Sequence, residues 1–135
     1  MKVLLDTNAC IRILNGTSPG IVRQLEKLDP AEVAISAIVK AELTFGARKS
    51  IHVAANLRLV DAFLEPFVFL PFDDRAADIY GSIRADLERE GRPIGPNDLL
   101  IAATALAHSL TLVTRNVSEF GRVPGLSIAD WESED

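Results

Sequence analysis

The sequence predicts an α/β protein built on a mostly parallel sheet with helices laid against it. Three observations carry that expectation. Short unbroken apolar runs recur along the chain, they alternate with longer stretches of helical periodicity, and Gly, Pro, Asn and Asp fall between them. Strands covered on both faces read as continuous apolar runs, and strands alternating with helices are the pattern of a parallel sheet.

Val3-Leu4-Leu5 is the first such run. Asp6-Thr7-Asn8 closes it with residue types that cap helices, so a helix is expected through Cys10 to Leu14. Asn15-Gly16 and Ser18-Pro19-Gly20 mark a break, and a helix from about Ile21 to Leu28 follows, stopped near Pro30. Val33-Ala34-Ile35 reads as the second strand, with a helix from Ser36 or Ala37 to about Ala47. An amphipathic helix over roughly Val53 to Leu64 precedes a strand at Phe67-Val68-Phe69-Leu70. Asp74 to Glu90 carries Ala77, Tyr80, Ile83 and Leu87 at helical spacing, with Gly91 to end it. Pro96 opens a helix through Ala107 that is nearly all apolar or small after Asp98, which suits a buried helix. Leu110 to Val113 is a further strand, and Leu126-Ser127-Ile128 a last short one. The acidic end from Trp131 to Asp135 is expected to fray.

With 135 residues, 48% hydrophobic, and no repeat, low-complexity tract or linker, residues 1–135 read as one domain with one core. A single cysteine, Cys10, excludes an internal disulfide, and with only His52 and His108 beside it a zinc site lacks ligands. No apolar run reaches the ~18 residues of a membrane span, and the apolar stretch after Lys2 is too short for a signal peptide. The expected setting is cytoplasmic. The formal charge of −5 argues against binding nucleic acid by charge alone. A cation gathered by several acids inverts that local field, so net charge does not decide the substrate.

Three acids stand where chemistry could occur. Asp6 lies at the carboxyl end of the first strand, the side on which open parallel sheets bind ligands. Helix capping alone would explain it equally well. Glu42 falls four residues after Ile38, within an apolar stripe read as Ile38, Ala41 and Phe45. Buried glutamate needs a partner or a cation, and Lys40, Arg48 and Lys49 are the alternative partners. Asp98 falls in the first turn of the apolar helix, where complementing the dipole by roughly 0.3–1 kcal/mol is a sufficient structural reason. Two carboxylates ~5 Å apart repel by about 3 kcal/mol at an effective dielectric near 20. If the three converge, their hard oxygens suit Mg²⁺ or Mn²⁺, which activate water and stabilise charge on a phosphodiester.

The chain resembles the PIN-domain nucleases, in particular the VapC toxins of toxin–antitoxin pairs, in the branch that includes FitB-like proteins. The resemblance rests on Val3-Leu4-Leu5-Asp6-Thr7-Asn8, on Ser36 to Gly46 with Ala41-Glu42-Leu43, and on Ile94-Gly95-Pro96-Asn97-Asp98 running into Ile101-Ala102-Ala103. Val113-Thr114-Arg115-Asn116 through Phe120, and Arg122-Val123-Pro124-Gly125-Leu126, complete the ordered set. It implies a three-layer α/β/α sandwich and a Mg²⁺-dependent ribonuclease in which Mn²⁺ can substitute. Asp6 and Asp98 would be the main metal ligands, with Glu42 completing the site directly or through water. Asn116 matches a fourth position that is often Asp in the family, which puts a four-carboxylate, two-metal site in doubt. Glu119 could supply the missing charge, although a solvated loop acid is the simpler reading. Thr7, Ser36 and Thr114 would orient ligands or water, or else serve as caps and turn residues. The resemblance further implies a VapB-like antitoxin, an RNA substrate and a homodimer. Arg12, Lys40, Arg48, Lys49 and Arg115 are candidate phosphate contacts, with Arg115 singled out because it adjoins Asn116.

This reading has three rivals. A haloacid-dehalogenase-type phosphatase needs an Asp two positions after Asp6, where Asn8 stands. A receiver domain needs an acidic pair near the first strand, which is missing. A non-catalytic nucleic-acid-binding scaffold on a degenerate nuclease fold is opposed by the presence of all three acids.

Overall fold

In the computed structural model, which describes residues 1–132, strand β1 (Val3–Leu5) runs at the centre of one sheet. It is flanked by β2 (Val33–Ser36) and β4 (Thr111–Val113), with β3 (Val68–Leu70) and β5 (Ile128–Ala129) at the edges. The order is β3-β2-β1-β4-β5, and every neighbouring pair is parallel. Val3, Leu4 and Leu5 are buried, as are all four residues of β2, which is why these strands carry no polar face. Helices α1 (Thr7–Asn15) and α2 (Pro19–Leu25) join β1 to β2, and α3 (Ala37–Arg48) and α4 (Val53–Leu64) join β2 to β3. Helices α5 (Asp74–Arg89) and α6 (Pro96–Ala107) return the chain to β4, and the one-turn α7 (Val117–Phe120) leads to β5. Two crossovers step toward β3 and two toward β5. Right-handed connections therefore lay helices on both faces, and the sandwich expected from the sequence is present.

Most local boundaries follow from recognisable caps. Gly16 ends α1 in the left-handed conformation at φ 66°, and its N–H donates to the Arg12 and Ile13 carbonyls. Ser18 caps α2 with Pro19 in the first turn, so that helix begins earlier than Ile21 and stops at Leu25. Helix α6 is buried along nearly its whole length, from Leu99 and Ile101 to Ala105 and Ala107. It packs mainly against α5, while α3 meets α1, α4 and α6. Cys10 is buried in the core, and that burial keeps its thiol pKa well above the ordinary range.

Three expectations need correction. The buried stripe of α3 is Val39, Leu43 and Ala47, whereas Ala41 and Phe45 face outward and Ile38 lies at the border. Composition alone could not orient this helix, because alanine occurs on both its faces and its one phenylalanine, Phe45, lies on the exposed one. The last strand is Ile128–Ala129, shifted beyond Leu126, and its two ladder partners are Leu112 and Val113. The chain does not fray at Trp131. That residue packs against the core, and Glu132 is 3% exposed because it pairs with Arg12. The frayed end expected for 133–135 lies outside the described residues. Among the described residues, no helix is long and apolar enough to cross a membrane.

Candidate active site

The sheet's strand order reverses at β1, since the chain moves outward through β2 and β3 and then crosses to β4 on the other side. The crevice beyond the carboxyl ends of β1 and β4 is thus a topological switch point, where parallel sheets bind ligands. Asp6 follows β1 directly, and its backbone N–H donates to the Val113 carbonyl at 3.1 Å, which ties it to β4. Its side chain caps α1 by accepting the Ala9 N–H at 2.8 Å. The capping reading of this residue therefore holds, and that cap uses Oδ1. Burial raises the Asp6 pKa, opposed by hydrogen bonds from Thr114 and the Ala9 N–H and by the charge of Arg12, while Glu132 adds to the rise. Thr114 is the first residue after β4, and its buried hydroxyl also accepts the Asn116 N–H at 3.0 Å.

Glu42 enters from α3. The Thr7 hydroxyl donates to its Oε1 at 2.9 Å, joining the first turn of α1 to the middle of α3. Two of the three basic residues offered as alternative partners turn elsewhere: Lys40 lies over the Phe69 ring and Lys49 over the Phe45 ring. Asp98 enters from the first turn of α6 and is half-buried. Its pKa is pushed up to about 6, first by burial and then by the neighbouring charges of Glu119, Asp6 and Glu42. Asp6 and Glu42, both sequence candidates, thus lie near enough to Asp98 for their charges to reach it.

Glu119 belongs to the same pocket, which the simpler sequence reading missed. Its Oε1 accepts the Gly95 N–H at 2.8 Å and its Oε2 accepts the Asn116 amide at 3.0 Å. Those donors hold the Glu119 carboxyl below its ordinary range, and a hydrogen bond links it to Asp98. Asp98 is thus the member of the pair whose carboxyl is shifted upward, and Glu119 the one shifted downward. A Cβ on Gly95 would stand 3.7 Å from Glu119 Oε1 and 3.8 Å from Asp98 Oδ2, so the backbone there borders both carboxyls. A signal did exist in the sequence. Asn116 and Glu119 have the spacing of a capping box, but here the glutamate reaches Gly95 and no side-chain cap forms at Asn116. Ser36 takes the bland role, capping α3 through the Val39 N–H at 3.2 Å. Arg115 is exposed beside the site.

The donor set is made of hard oxygens and suits Mg²⁺ or Mn²⁺ rather than a soft metal. Among the described residues, no three acid, histidine or cysteine side chains are grouped tightly enough to hold a cation unaided. Mg²⁺ rarely asks for that, since it keeps several waters and takes one or two carboxylates. The mutual repulsion that raises Asp98 is what a divalent cation relieves, so the residues fit the group.

The PIN domain family model matches residues 3–126. The tRNA(fMet)-specific endonuclease VapC of Salmonella typhimurium is 40% identical over 131 residues, covering 97% of this chain and 98% of the relative. Ribonuclease VapC2 of Rickettsia felis is 40% identical over 133 residues, covering 98% and 99%. Among solved structures, a chain of DNA-bound VapBC from Salmonella typhimurium superposes with a TM-score of 0.91 at 40% identity, covering 97% and 98%. With the fold, the acids at its switch point and these full-length likenesses in agreement, the chain belongs to the PIN-domain family, among its VapC ribonucleases.

Proposed function

We propose that this ribonuclease is the toxin of a type II toxin–antitoxin pair and cuts RNA with a Mg²⁺ ion at the Asp6–Asp98 pocket. One observation carries the reading: Asp98, on α6, feels the charges of Glu119, Asp6 and Glu42 together, while hydrogen bonds hold Glu119 on the Gly95 N–H and Glu42 on Thr7, the residue after Asp6. A bound Mg²⁺ would supply an activated water and charge stabilisation at the scissile phosphate. Asp6 and Asp98 hold the cation. Glu42, steadied by Thr7, accepts hydrogen bonds from water on the α3 side. Asn116 has its amide on Glu119, so it orients that carboxylate, and Glu119 provides the charge that an Asp at 116 would otherwise bring. Thr114 fixes Asp6 from behind. Arg115, exposed at the rim, contacts the RNA backbone. All four acids being present and gathered favours cleavage over a scaffold role.

The partner is an antitoxin, since the neighbouring structure from Salmonella typhimurium is a VapBC complex. The first substrate to test is tRNA(fMet), the one named for a relative 40% identical. A homodimer is also proposed. Phe45 and Phe69 are exposed, at 64% and 52%, on α3 and the edge strand β3, a surface of the kind a second copy covers. The test is incubation of the purified protein, freed of partner, with tRNA(fMet) and with total RNA, each with Mg²⁺ and with a chelator. Cleavage only with Mg²⁺, abolished in Asp98→Asn, is expected. Cleavage that survives both the chelator and Asp98→Asn removes the metal site from the mechanism.

A further inference from the structure

The carboxy-terminal segment packs an ion pair behind Asp6. Arg12 lies in the last turn of α1, and helical side chains lean toward the helix amino end. Asp6 and the tail meet at the carboxyl end of β4, where the Asp6 N–H donates to the Val113 carbonyl at 3.1 Å and the Thr114 N–H to the Ala129 carbonyl at 3.0 Å, and the tail that leaves there reaches the Arg12 guanidinium. That guanidinium meets Glu132 in a two-pronged pair: Nη2 donates to Oε2 at 2.7 Å, and Nε faces Oε1. Glu132 is 3% exposed, and its backbone N–H is turned inward by the Asp130 carboxylate at 2.9 Å. This is a buried side chain brought across 120 residues of sequence to neutralise one arginine. After burial and the hydrogen bonds at Asp6, the charges acting on that carboxyl are Arg12 and, in the opposite sense, Glu132.

We infer that Glu132 is a positioning residue of the active site, which neutralises Arg12 so that Asp6 stays available to a divalent cation. This inference rests on the proposal that Asp6 holds the cation. An arginine without Glu132 would add one uncompensated positive charge beside Asp6 and compete with the metal for it. Glu132 offsets part of that charge, and its pair with Arg12 also locks the tail to α1. A tail that only stabilised the fold would have no reason to set the sign of an effect on metal affinity.

The sign is what the experiment reads. Mn²⁺ affinity of the full chain is titrated calorimetrically for wild type, Glu132→Gln, Arg12→Gln, the double variant and Asp6→Asn, with thermal melts in parallel. Glu132→Gln leaves a net positive charge and should weaken Mn²⁺ binding by about tenfold. Arg12→Gln leaves a net negative charge and should tighten it by a few-fold, even though both single variants melt earlier. The double variant should return to within about twofold of wild type. Single variants that shift affinity in the same direction, or not at all, overturn the inference even if one of them folds poorly, because Arg12→Gln alone predicts tighter binding. Asp6→Asn separates this from the parent reading. If Asp6→Asn binds Mn²⁺ as wild type does, Asp6 is not a ligand and both proposals fall.

Discussion

Replacing Asp6 by asparagine keeps the α1 cap, because asparagine and aspartate serve N-caps equally well, whereas alanine does not. Metal-free Asp6→Asn should therefore melt at or above wild type, and Asp6→Ala should lose about 1 kcal/mol by chemical denaturation. Both should lose cleavage, so the pair separates the structural role of the side chain from its charge. Asp98 gives a pH-dependent version of the same test. Its pKa is raised in the folded protein, so the native state binds more protons than the unfolded chain between the ordinary aspartate range and about 6. Its contribution to metal-free stability thus falls as pH rises through that window, and the penalty is complete above it. Asp98→Asn should raise the metal-free melting temperature more at pH 7.5 than at pH 5, and equal gains at both would mean that Asp98 does not titrate as described. Asn116→Asp sets a carboxylate where an amide now donates to Glu119 at 3.0 Å. We expect a metal-free loss on the order of 1–3 kcal/mol, reversed by Mn²⁺, in melts with and without the ion.

Among the elements, α7 is the least secure in sequence and matters most to the site. It is one turn long, and it presents Asn116 and Glu119 from its first residues. Gly121 closes it so tightly that an added Cβ would stand 2.6 Å from the Val117 carbonyl oxygen. Gly121→Ala must therefore shift α7, with a cost of about 1–3 kcal/mol and a weaker grip of Glu119 on the Gly95 N–H. Mn²⁺ affinity and denaturation midpoint should fall together. Unchanged affinity would place Glu119 outside the working site. Longer elements were legible because periodicity and caps agreed, as in α4, whose bounds Val53–Leu64 match those read from the sequence. Helix α3 was legible in position but not in orientation, since its true inward stripe begins one residue after Ile38. The tail reads as frayed because acidic residues near a terminus usually are, and the structure departs from that at Trp131 and Glu132. Only the arginine waiting on α1 reverses that.

At the scale of the molecule, the exposed Phe45 and Phe69 predict a dimer by light scattering, and Phe45→Glu with Phe69→Glu should yield a monomer that still folds. A wild type that stays monomeric at high concentration would leave that face to another occupant. The sequence by itself determined the alternation of strands and helices, the three candidate acids and the family. Each of these is written locally, in apolar runs, cap residues and ordered motifs. Tertiary structure decided the rest. Which acids share a pocket follows from the reversal of strand order between β1 and β4, a property of the whole sheet. Glu119 became part of the site through a donor on Gly95, 24 residues away, and Glu132 through an arginine 120 residues away. A charge in a sequence has no partner until the fold brings one near, and burial then makes that partner matter.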